Sequence, residues 1–124
     1  MILKRIYAAA LVAALVWALP VTAHHSHGNY DLKSYLEMEG TVREVHWINP
    51  HTWIYMEVAN DDGSSTLWTL EGGGIGALMR RGWTQDSVEV GDTINVRCHP
   101  LRGGTPSCLF GYLRTADGQE GEYD

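Results

Sequence analysis

From Leu36 to Thr115 the sequence is cut into five short runs rich in β-branched and aromatic residues, each bounded by Gly, Pro, Asn or Asp. Alternating runs at this spacing build sheets rather than helical bundles. The first, Glu39–Ile48, alternates imperfectly, and the slip at Arg43-Glu44 predicts a bulge. Asn49-Pro50 marks a turn. In Thr52–Val58, Ile54, Met56 and Val58 share one face, while Trp53, Tyr55 and Glu57 share the other. The stretch Asn60–Gly63 reads as a hairpin turn into a third strand, Ser65–Glu71. Thr93–His99 and Ser107–Thr115 complete the set.

Between the third and fourth runs the period changes. Ile75, Leu78 and Met79 stand at i, i+3, i+4, and Gly82 sits where a helix stops. Arg80 and Arg81 then fall in the last turn, where they suit the negative end of the helix dipole. The resulting order predicts an all-β domain over residues 36–116, a small five-stranded OB-like barrel with one short helix between strands 3 and 4. An open β-sandwich is the alternative. Closure has the physical advantage of removing unpaired strand edges.

The amino-terminal end is of another kind. Lys4 and Arg5 precede an apolar run, Ile6–Leu19, and Pro20 is followed by Val21-Thr22-Ala23, the parts of a signal peptide over residues 1–23. That run is shorter than the ~20 residues a membrane-spanning helix needs. A periplasmic or secreted protein is expected, with no stable membrane insertion after cleavage. Residues 24–35 then form a His-rich arm, and 117–124 an acidic tail expected to fray. Without Lys4 and Arg5, seven basic residues face fifteen acidic ones, a net charge of −8. Nucleic acid is disfavoured as a partner, because its binding draws on Lys and Arg neutralising phosphates. Cys98 and Cys108 flank a loop containing Pro100, Gly103, Gly104 and Pro106. In an oxidising compartment such a pair predicts a disulfide; two separately buried thiols are the other arrangement.

Three histidines, His24, His25 and His27, begin where the apolar run ends. A cut after Ala23 makes His24 the first residue, whose α-amine and ring nitrogen can chelate one metal together. His25 in second position offers a related set, and a cut one residue earlier would place a histidine third. Nitrogen donors of this kind suit Cu(II) above Ni(II) and Zn(II). His46 and His51 flank the Asn49-Pro50 turn at one end of two adjacent strands. The metal set expected is therefore His24, His25, His27 and His51, with copper as the possible cofactor. His51 bonding to the local backbone of its turn is the bland alternative, and His99 lies remote from this scheme.

A second hypothesis uses Trp47, Trp53 and Tyr55 as an aromatic binding face for an envelope protein or a glycan, with no metal role. The competing role for the tryptophans, Trp68 included, is packing. Gly72-Gly73-Gly74 lacks the Lys-Ser/Thr of a phosphate-binding loop, and no H-E-x-x-H occurs. An enzyme is thus the least supported class, and a binding protein the expectation.

Several residues together carry a resemblance. His-His-Ser follows the signal, then come Gly40-Thr-Val with Val45 and Trp47, Asn49-Pro50-His51-Thr52-Trp53, Arg80-Arg81-Gly82-Trp83 and Gly91-Asp92. The chain resembles domain of unknown function 6152, a family of small exported bacterial proteins, over nearly all of the mature length. The cysteine pair departs from the pattern of that family, so the resemblance implies no disulfide; nor does it imply an activity.

Overall fold

Residues 27–124 are described here by a computed structural model; the expected signal peptide, His24 and His25 lie outside them. After a single 3-10 turn at His27–Asn29 come β1 (Leu36–His46), β2 (Trp53–Ala59), β3 (Ser65–Glu71), α1 (Ile75–Arg80), β4 (Thr93–Pro100), β5 (Ser107–Arg114) and β6 (Glu120–Glu122). No described helix is long and apolar enough to cross a membrane.

The sheet closes on itself. Its order is β3-β2-β1-β4-β5-β6, and a parallel pairing of β3 with β5, from Thr69↔Ser107 to Glu71↔Leu109, completes a five-stranded barrel. This is the OB-like arrangement, with the helix between β3 and β4. The long first strand serves both sides: Leu36–Thr41 pairs with β4, and Thr41–His46 pairs with β2. It changes partner at Thr41, and Gly40 beside it lets β2 approach closely. A Cβ there would lie 2.5 Å from the Glu57 carbonyl oxygen and 2.6 Å from Met56 Cγ. The predicted bulge follows at once, as a register shift between Val42 and Glu44.

Ile54 and Met56 are fully buried, whereas Trp53 and Tyr55 on the opposite side of β2 are half-buried. The hairpin turn uses Gly63 at φ 85°. Helix α1 plugs one end of the barrel with Leu78, and the Trp83 and Val88 that follow it are buried with it. Its first free N–H, that of Ile75, donates to Asn49 Oδ1 at 3.0 Å, so a loop side chain caps it. Gly82 ends it at φ 90°, as the sequence predicts. Cys98 and Cys108 form a disulfide between β4 and β5, with Cα atoms 5.6 Å apart.

The expectation of a frayed acidic tail is corrected. Glu120–Glu122 pairs with β5 as a sixth strand, from Tyr112↔Glu122 to Arg114↔Glu120. Tyr123 is buried against Trp83 and Phe110, at ring-centroid distances of 5.1 and 4.9 Å. Trp83 Nε1 donates to the Glu122 carbonyl at 2.7 Å, which ties the tail to the plug. Removing the Trp83 side chain would cost about 3–5 kcal/mol from packing alone.

Candidate functional site

The arm lies across the outside of the barrel. Tyr30 bridges to Leu101, Asp31 N–H donates to the Pro100 carbonyl at 2.8 Å, and Arg102 N–H donates to the Asn29 carbonyl at 2.9 Å. Tyr30, the one aromatic of the 3-10 turn and its flank, is only 4% exposed. Its phenol donates to Glu71 Oε2 at 2.7 Å. Burial, with the charge and hydrogen bond of Glu71 adding to it, pushes the Tyr30 hydroxyl up to about 12.

Glu71 ends β3 and is almost wholly buried, which requires partners for its carboxylate. Tyr30 supplies one. His51 supplies the other, with Nδ1 3.4 Å from Glu71 Oε1 and 3.2 Å from the Gly72 carbonyl oxygen. A carbonyl oxygen can only accept, so Nδ1 carries the proton. In the neutral ring Nε2 is then the nitrogen with a lone pair. Metal-bound histidines show this pattern, donating their other N–H to a carboxylate or backbone carbonyl. The bond is not to the Asn49-Pro50 turn, as the bland alternative had it, but to the far strand end.

His27 and Asp124 complete the corner, with His27 Nε2 3.7 Å from Asp124 Oδ2. Burial raises the Asp124 carboxyl above the usual range; Glu71 adds to the rise, while His27, His51 and Arg81 oppose it. Asp124 thus shares one electrostatic environment with both histidines and Glu71. The glycines after β3 make the corner this tight. A Cβ on Gly73 would lie 2.8 Å from the Asp124 carbonyl carbon, and one on Gly74 would lie 2.9 Å from the Pro50 oxygen.

Of the four expected metal residues, His27 and His51 come to this corner, and His24 and His25 lie outside the described residues. His46 is turned elsewhere, paired with Glu44 and edge-on to Tyr55 at 5.3 Å. His99 stays remote, its Nδ1 2.9 Å from the Ser34 carbonyl. Among the described residues no group of three His, Cys, Asp or Glu side chains is arranged to hold a metal ion. The aromatic set divides: Trp47 and Trp68 pack against the core, while Trp53 and Tyr55 remain half-buried on the outside of β2. Tyr30, Glu71 and Asp124 were not singled out in the sequence. A lone aromatic in a polar arm, and an acid followed by three glycines, were the available signals.

The sequence profile of the family described as "Family of unknown function (DUF6152)" matches residues 11–110. The chain belongs to that family. Neither a curated protein nor a solved structure gives a match. The DUF6152 match contains His27, His51 and Glu71, and it stops within β5, before β6 and Asp124.

Proposed function

We propose that this protein is an exported binding protein, not an enzyme, that takes Cu(II) or a similar late transition metal through its mature amino terminus. His24 and His25 supply the chelating nitrogens, and His27 and His51 assist. The observation that carries this reading is the His51 ring, whose Nδ1 is engaged by Gly72 and Glu71 so that Nε2 is left as the donor. A second feature supports it. His27 is docked beside Asp124, and the three Cα–Cα steps from it back to His24 span at most about 11 Å when extended. The chelating terminus is therefore tethered within reach of the corner. The disulfide fits an oxidising compartment, the setting in which such bridges persist.

Binding requires deprotonated donors. An imidazole titrates near ~6.5 and an α-amine near ~7.7–8.0, so affinity falls as pH drops from about 7 to about 5.5. The test is mass mapping of the exported amino terminus, followed by Cu(II) titration monitored by EPR. A chain starting at His24 binds with a nitrogen-rich signal, His24→Ala/His25→Ala abolishes it, and His51→Ala weakens it. A mature chain that starts beyond His27, or equal affinity in the double variant, overturns the reading.

A further inference from the structure

The outer face where β1, β4, β5 and β6 lie side by side carries a different arrangement. Arg97 projects from β4 and stands in register with Glu37 of β1, close enough in strand geometry for an ion pair. None forms: among the described residues no carboxylate lies within 4.0 Å of its guanidinium. The guanidinium instead sits over two rings, 5.3 Å from the centroid of Tyr35 and 5.7 Å from that of Tyr112. Stacking of this kind holds the planar fork while leaving its N–H donors in the ring plane unspent.

Tyr35 packs on His99 at 4.2 Å, and His99 is bonded to the Ser34 carbonyl. Gly111, the extra residue of a bulge between Cys98↔Phe110 and Arg97↔Tyr112, brings no side chain where the Tyr35 ring lies. The cleft beside Arg97 has a volume of about 410 Å³, within the range of small-ligand sites. Its lining carries both signs: Arg97 and Arg114 come from β4 and β5, and Glu37 and Glu39 from β1. Arg114 is already paired with Glu120 at 3.5 Å, so Arg97 is the cation left for a ligand.

We propose that this cleft binds the free carboxylate of a short zwitterionic peptide. Arg97 grips the carboxylate with two parallel N–H bonds, as a preorganised fork does. Glu37 and Glu39 receive the peptide's cationic end and repel polyanions, which the acidic chain as a whole also disfavours. The cleft is lined by none of the corner's histidines, and this binding does not depend on metal.

Calorimetric titration of the metal-free, disulfide-intact protein with the tripeptide Gly-Gly-Lys tests it. The free acid binds saturably, and its carboxyl-terminal amide binds about 10–100-fold more weakly. Arg97→Lys keeps the charge but loses the fork, and it weakens binding about tenfold or more. Arg97 is exposed, so this variant retains the wild-type melting temperature. Absence of tripeptide binding, equal binding of acid and amide, wild-type affinity in Arg97→Lys, or equal competition by poly-glutamate would each overturn the assignment.

Discussion

Tyr30 and Glu71 are joined by a buried 2.7 Å hydrogen bond across 41 residues of sequence. The bond fixes the arm to the barrel and satisfies a carboxylate that water scarcely reaches. Removing the phenolic oxygen leaves the acid one donor short.

Tyr30→Phe is therefore expected to destabilise the protein by about 1–3 kcal/mol, the penalty of an unsatisfied buried polar group. At roughly 4–8 °C per kcal/mol for a domain of this size, calorimetry would record a clear fall in melting temperature. Hydrogen exchange at Asp31 and Arg102, whose N–H groups tie arm to hairpin, would accelerate with it. An unchanged melting temperature would mean that the ring alone seats the arm.

Gly40 and Gly76 make a contrasting pair. A Cβ at Gly40 meets backbone and a buried Met56, so Gly40→Ala overpacks the barrel and costs about 1–3 kcal/mol. At Gly76 in α1 the nearest atom is the flexible Arg80 Nη1 at 3.5 Å, an ordinary contact. Gly76→Ala is expected to stabilise by about 0.5–1 kcal/mol through helix propensity. Urea denaturation midpoints of the two variants should move in opposite directions.

The turn into β6 sets part of the acid response. Asp117 accepts hydrogen bonds from the Thr115 hydroxyl and the Gln119 N–H, which hold its carboxyl below its ordinary value of 3.8. The folded state therefore favours the ionised form. That contribution is whole above 3.8 and is lost as pH falls through the lower folded value. Asp117→Asn is accordingly less stable than the parent at pH 7, and the gap closes once pH falls below the lowered folded value. A gap that persists in acid would assign the effect to shape rather than charge.

The strands of the barrel were legible because their alternation is tertiary information written locally: Ile54 and Met56 point inward and Trp53 and Tyr55 outward. The bulge after Val42 and the Gly82 helix stop were legible for the same reason, since each has a short-range cause. The sixth strand was not. Three residues are too few to show a period, and the burial of Tyr123 depends on Trp83 and Phe110, which are distant in sequence. The corner was half-legible. His27 and His51 stand out by residue type, but Glu71 and Asp124 are ordinary acids until the glycine-rich turn brings them close. Arg97 gave no signal, because its distinction is a missing ion pair.

The hairpin between β4 and β5 has a mechanical consequence at the other end of the chain. Its tip grips Asn29, Tyr30 and Asp31 by three hydrogen bonds, and its two legs are riveted by the Cys98–Cys108 link. Cutting that rivet slackens the shelf on which the leading segment rests, so the seat of His27 is only as firm as a sulfur bond far from it in sequence.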